Sequence, residues 1–207
     1  MKLAREGYPL IAFTGFMLLG SLFFAPSVAL FLAPLMGLVI WFFRDPERTP
    51  DGEGFLAPAD GKIVEIGKTE VPYTGKAWKI GIYMNVLDVH VNRFPCAGTV
   101  EHIEYVPGKH WLSFSPKVSE TNERMLVGIS TQYGPVLVVQ IAGFLARRIV
   151  CRIRKGDRLG RGQRYGMIKM GSKVDVYLPE KTALVVSKGQ RVLAGSTVLG
   201  SISGDVR

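Results

Sequence analysis

From Tyr8 to Phe43, thirty-six consecutive residues contain no Asp, Glu, Lys, Arg or His. One helix needs roughly 20 apolar residues to cross a bilayer, so this run is too long for one pass and a little short for two ideal ones. Pro26 stands near its middle, where a continuing helix would lose a hydrogen bond. The run is therefore expected to form two short helices, residues 9–24 and 27–43, in a hairpin that spans the membrane or dips into it. A cleaved signal peptide is the competing reading, because Lys2 and Arg5 precede the apolar run. Cleavage would leave the second greasy segment, residues 30–43, without a role. Basic residues flank both ends, Lys2 and Arg5 before and Arg44 and Arg48 after. That bias places both ends, and the rest of the chain, on the cytoplasmic face of the cell membrane. The two cysteines, Cys96 and Cys151, fit a reducing compartment; they have no metal-ligand spacing, and no metal is expected.

Beyond a turn-rich linker, "RDPERTPDGEGFLAPADG", the apolar period changes to two. "KIVEI", "WKIGIYM", "GTVEHIEYV", "RMLVGIST", "PVLVVQI", "RRIVCRI", "KVDVYLP", "TALVVS" and "STVLGSI" are strands by that criterion, separated by turn residues at short intervals. The expected class is mainly β: a hydrophobic hairpin, 1–43, followed by one sandwich-like or barrel-like domain, 44–207. No long helical period occurs after residue 44, although "LDVH" and "GFLARR" could each supply a turn or two. Two segments echo each other: "KGDRLGRGQRYGMI" (155–168) and "KGQRVLAGSTVLGSI" (188–202). The repeat suggests two related hairpin arms around a common core, as in lipoyl and biotinyl carrier domains. Carriers display a lysine at the exposed turn, and residues 194–197 have none, so a carrier function is not expected.

The net charge of +9 is uneven: eight Lys or Arg and one acid, Asp157, fall between Arg147 and Arg164. Charge alone would suit nucleic acid, anionic lipid or a merely solvated face. The adjoining apolar segment selects phospholipid headgroups, and no nucleic-acid partner is expected.

The echo differs at one telling place. Where the first copy has Gly162-Gln163, the second has Gly195-Ser196. A Gly-Ser pair is ordinarily a flexible turn. Between strands, however, a fold can strain the backbone, and a glycine carbonyl is open to attack by the next hydroxyl. Attack by Ser196 Oγ on the Gly195 carbonyl would convert the amide to an ester. Elimination would then cut the chain and leave dehydroalanine, and loss of ammonia by hydrolysis would leave a pyruvoyl group. Such a ketone forms a Schiff base with an amine and accepts the electrons of a departing carboxylate. Gln163 offers no nucleophile.

"FFRDPER" (42–48), "APADGKI" (57–63), "DVHVNRFP" (88–95), "SETNER" (119–124), "IAGFLARRIV" (141–150), "GMIKMGSKVDVYLP" (166–179) and "AGSTVLG" (194–200) occur in an order that resembles the short, membrane-associated phosphatidylserine decarboxylase proenzymes. The resemblance covers nearly the whole chain. It implies self-cleavage at Gly195-Ser196 into a β chain, 1–195, and an α chain, 196–207, with a covalent pyruvoyl cofactor from Ser196. It implies conversion of phosphatidylserine to phosphatidylethanolamine; a homo-oligomer is also expected. His90, in "DVHVNRFP", matches the motif's histidine near the pyruvoyl group and is the candidate base. Longer relatives carry a second histidine where Arg93 stands here, so their division of labour does not transfer. Arg93 cannot act as a base but could pair with a phosphate or carboxylate. Asp60, in "PADG", resembles the acidic partner of the histidine in a serine–histidine–aspartate relay, against the plainer reading of an Asp-Gly turn. Asp88 is the other acid to test; Lys169 and Ser172 are candidates for the substrate pocket. His102 reads as a surface or pairing residue, and His110, beside Trp111, as a packing or membrane-facing one. The alternative class is a non-enzymatic, membrane-tethered β adaptor that binds lipid or a partner.

Overall fold

The computed structural model describes residues 2–109, 118–143, 148–169 and 172–202; His110, Trp111, Arg147, Gly171 and most of "GFLARR" lie outside them. The chain divides into two compact units, Met1–Glu47 and Arg48–Arg207.

In the first unit, β1 (Lys2–Leu3) precedes α1 (Tyr8–Phe24) and α2 (Pro26–Phe42), and β2 (Arg44–Asp45) returns to pair with β1. Pro26 opens α2 rather than interrupting a helix: Ala25, at φ −156 and ψ 73, breaks the chain between the two. A first-turn proline lacks only an N–H that would have had no partner there. The helices pack on each other where Thr14 Oγ1 donates to Leu10 O at 2.8 Å and lies 3.0 Å from Met36 Sδ. Their outer faces expose Phe16, Leu19, Phe23, Phe24, Leu30 and Phe31. By length and composition, Arg5–Phe24 is long and apolar enough to cross a membrane.

The second unit begins with β3 (Phe55–Leu56), β4 (Gly61–Val71), β5 (Gly75–Met84), β6 (Val91–Arg93) and β7 (Gly98–Val106). After α3 (Val118–Thr121) come β8 (Arg124–Thr131), β9 (Gly134–Ala142), β10 (Ile149–Cys151), β11 (Arg158–Leu159) and β12 (Arg164–Ile168). The chain then runs through β13 (Ser172–Pro179), β14 (Ala183–Leu184), β15 (Arg191–Val192) and β16 (Val198–Ser201). The fold is mainly β, as the period of two requires. "LDVH" lies in a turn rather than a helix, because the Asn85 and Asp88 side chains take local backbone N–H groups: Asn85 N–H donates to Asp88 Oδ2 and Leu87 N–H to Asn85 Oδ1, both at 2.8 Å.

An eight-stranded sheet, ordered β11-β7-β8-β9-β13-β5-β4-β15, forms the centre. Successive residues on its strands point to opposite faces. Val136 and Val138 of β9 enter the main core with Ile63, Ile80, Ile82, Val127, Val174 and Val176, while Leu137, Val139 and Ile141 face the other way. On that far side Lys173 Nζ meets Glu65 at 2.7 Å and the fully buried Asp175 at 3.0 Å. The charges of the "GSKVDVYLP" motif therefore hold sheet structure together.

Read from its middle outward, the sheet repeats itself. Lys62 and Gly61 pair with Arg191 and Val192 in one half; Thr99 and Gly98 pair with Arg158 and Leu159 in the other. A register shift falls at Ile63/Glu65 and again at Val100/His102. Ile63 N–H donates to Gln190 O and Val100 N–H to Asp157 O, each at 2.9 Å. The two smaller sheets, β14-β16-β3 and β10-β12-β6, complete the pair. This register equates 56–61 (Leu-Ala-Pro-Ala-Asp-Gly) with 93–98 (Arg-Phe-Pro-Cys-Ala-Gly), a second echo beside the Lys-Gly-x-Arg one. Gly195 N–H donates to Ala57 O at 2.9 Å, and Gly162 N–H to Phe94 O at 2.8 Å. The two equivalent turns meet: a Cβ built on Gly195 would stand 3.6 Å from the Gly162 carbonyl oxygen.

Candidate active site

The second of these turns carries the serine. Ser196 and Thr197 N–H both donate to Leu193 O, at 3.1 and 3.0 Å, and Leu193 N–H donates to Thr197 Oγ1 at 3.0 Å. Gly195, at φ +72, makes the reversal in a region where a side chain would strain the backbone. Ser196 is 8% exposed, and its hydroxyl donates to the Thr49 carbonyl at 2.5 Å. Attack by this Oγ on the carbonyl carbon of the preceding residue would close a five-membered ring.

Asp60 reaches the same turn from the start of β4. Its Oδ1 accepts the Ala194 N–H at 2.7 Å, and its Oδ2 meets Arg48 Nη2 at 2.8 Å. Burial pushes its carboxyl above the ordinary 3.8; the Ala194 N–H and the Arg48 cation pull it back, and the charge of nearby Asp88 pushes it up further. The repeat tests the plainer reading of this residue. Ala97 occupies the equivalent position and precedes Gly98 without a carboxylate, just as Gln163 stands where Ser196 does. A turn of this shape needs neither acid nor hydroxyl.

His90 lies fully buried just before β6. Its Nδ1 is 2.8 Å from the Asp88 carbonyl, which can only accept, so the neutral ring carries its proton on Nδ1 and its lone pair on Nε2. Nδ1 is the nitrogen that a carboxylate orients in a hydrolase relay. A main-chain carbonyl orients it here, while Asp60 engages the Ala194 amide. The Asp88 carboxylate pairs with Arg191 and accepts the Asn85 N–H. Arg93, 5% exposed at the end of β6, lies over Gly195 and donates from Nη1 to Gly162 O at 3.2 Å.

Two residues of the supposed linker belong to this site: Arg48 through Asp60, and Thr49 through the serine hydroxyl. Their only signal in the sequence is that Arg48 closes the "FFRDPER" motif. Ser172 is fully buried on β13 and donates to Met84 Sδ at 3.3 Å, while Lys169 donates its N–H to Arg148 O at 3.2 Å. His102 is 3.2 Å from Glu104 Oε2 and stacks on Tyr73. A cavity of about 450 Å³ opens beside it on the far face of the sheet, between Arg124, Leu126, Val139 and Tyr177. Of the basic stripe, Arg148, Arg152, Arg154, Lys155 and Arg158 are exposed, whereas Arg161 turns inward to Gly54 O at 2.7 Å.

Fold and site together define a two-fold-repeated β domain in which one turn alone has been given a buried hydroxyl and a buried carboxylate. Residues 35–200 match the family model for phosphatidylserine decarboxylase. The phosphatidylserine decarboxylase proenzyme of Desulfotalea psychrophila is 45% identical over 208 residues, 98% of this chain and 97% of its own length. That of Symbiobacterium thermophilum is 44% identical over 205 residues, 97% and 95% of the two chains, and that of Oleidesulfovibrio alaskensis 46% over 208 residues, 97% and 94%. The chain belongs to the phosphatidylserine decarboxylase family, and membership of an enzyme family favours the enzyme over the adaptor.

Proposed function

We propose that this chain is a proenzyme that cuts itself between Gly195 and Ser196, and that the mature protein decarboxylates phosphatidylserine to phosphatidylethanolamine with a pyruvoyl group derived from Ser196. The observation that carries the reading is the turn: a buried serine hydroxyl follows a glycine held at φ +72, with a buried carboxylate bonded to the amide just upstream. The same features fit the group. A ketone at position 196 would be sheltered from water, since Ser196 is 8% exposed, and no side chain at 195 crowds it.

Roles follow from the chemistry of each side chain. His90, with its lone pair on Nε2, is the base that takes the Ser196 proton and later the acid that returns a proton to carbon. Asp60 fixes the Ala194 amide, and its charge favours a positive imidazole nearby. The pyruvoyl ketone supplies an electron sink for the departing carboxylate. Bilayer attachment falls to the apolar hairpin, with the catalytic unit on the cytoplasmic face and the exposed arginines from Arg148 to Arg158 on anionic headgroups.

Intact-mass measurement of the purified full chain should find two chains, the smaller beginning at residue 196 and lighter by one ammonia than its serine-initiated form. Labelled carbon dioxide should leave phosphatidylserine in mixed vesicles. An unsplit chain that releases none would overturn the proposal in favour of the adaptor. His90→Ala should slow splitting, decarboxylation or both by roughly 10²- to 10⁴-fold. Wild-type rates in both assays would remove His90 from the mechanism.

A further inference from the structure

We propose that Arg93 holds the Gly195 carboxylate as it departs, and so drives the elimination step of self-cleavage; this rests on the reading that the chain splits after Gly195. A Cβ built on Gly195 would stand 2.5 Å from Arg93 Cδ and 3.4 Å from Nε. The side chain thus lies directly on the glycine, and by standard bond lengths its Nε is within roughly 6 Å of the Gly195 carbonyl carbon. The guanidinium presents five donors in a planar fork that matches a carboxylate.

The repeat separates packing from charge. Leu56 is the equivalent of Arg93 and covers the equivalent glycine, its Cδ1 3.5 Å from a Cβ built on Gly162. A leucine is therefore enough to pack such a turn. At the serine-bearing turn alone, the covering residue is a cation, and it is buried. A full charge and a planar set of N–H donors are thus held against the glycine whose carbonyl the cleavage would change.

The chemistry gives such a charge something to act on. After the acyl shift, Gly195 is joined through its carbonyl to Ser196 Oγ as an ester, and the nitrogen of residue 196 is a free amine. Elimination removes the proton from Cα of residue 196 and breaks the Cβ–Oγ bond. The electron pair leaves on the oxygen, so the leaving group is the Gly195 carboxylate, and residue 196 becomes dehydroalanine. Its imine tautomer takes up one water and releases one ammonia. A cation beside Gly195 meets a neutral ester before this step and a full anion after it. The interaction strengthens as the bond breaks, which is the condition for acceleration.

The test uses the full chain with Arg93→Met and Arg93→Gln; methionine keeps the length of the apolar stem over Gly195, and glutamine keeps a polar N–H donor without the charge. Both neutral variants should split about 10- to 100-fold more slowly, the range for loss of a charge-assisted hydrogen bond. Both should accumulate a hydroxylamine-labile ester, seen by mass spectrometry as a Gly195 hydroxamate and a serine-initiated small chain. Arg93→Lys should restore most of the rate. Folded Arg93→Gln protein that splits at the wild-type rate, or stays amide-linked and resists hydroxylamine, would overturn the proposal. So would normal splitting with a raised KM for the serine lipid, which would assign Arg93 to the substrate carboxylate. Failure of the wild-type chain to split would instead overturn the underlying reading.

Discussion

Ser196→Ala is expected to give a folded chain that stays in one piece and releases no carbon dioxide from phosphatidylserine. The methyl group keeps the packing of a residue that is 8% exposed and removes only the hydroxyl. The lost bond to the Thr49 carbonyl is worth about 1 kcal/mol, which lowers Tm by roughly 2–4 °C in a domain of this size. The turn itself should persist. Its backbone bonds from Ser196 and Thr197 to Leu193 and from Gly195 to Ala57 use no atom of the serine side chain, and the Gln163 turn closes without a hydroxyl. Chemically the change is total, because without Oγ no ester forms and the ketone has no precursor. A denaturing gel, a melting curve and a labelled-carboxyl assay on one preparation separate the two effects. Ser196→Ala protein that still splits, or still decarboxylates, would remove the pyruvoyl reading.

The elements were legible where a local period fixed them. Every run singled out by alternating apolar residues contributes to a strand, and the break at Pro26 was visible because proline has only one good place in a helix. β6, with three residues, and α3, with four, are too short to carry a period. The serine, histidine and aspartate could be chosen because their chemistry, in motifs resembling those of a known family, is specific. Their mutual arrangement could not. His90 is oriented by a carbonyl only two residues away, which no motif spells out, and Asp60 takes the Ala194 amide through a contact between segments more than a hundred residues apart. The second echo was hidden for a related reason: 56–61 and 93–98 share only Pro and Gly, and the register of β4 and β7 is what aligns them. Arg48 and Thr49 sit in a stretch without periodicity, and beyond the place of Arg48 at the end of "FFRDPER" nothing local marked them as parts of the site.

Asp60→Asn should separate the hydrogen bond of this residue from its charge. An asparagine oxygen can still accept the Ala194 N–H, so the turn should hold, while splitting slows by roughly 10²- to 10⁴-fold. Asp60→Ala loses the bond as well and leaves Arg48 unmatched, a further cost of about 2–4 kcal/mol in stability. The pH response distinguishes a catalytic carboxylate from a structural one. Burial raises this carboxyl above 3.8, so the folded chain holds the proton more tightly than the unfolded one. Its contribution to stability is then fullest below 3.8 and is lost as pH rises through the raised value. Splitting should run the other way, since the ionised form is required. On acidification, the splitting rate should therefore fall as pH drops through the raised value of Asp60. That component of the fall should be present in the wild-type chain and absent from Asp60→Asn. A wild-type rate with no such component above 3.8, in a protein still folded there, would confine Asp60 to holding the turn.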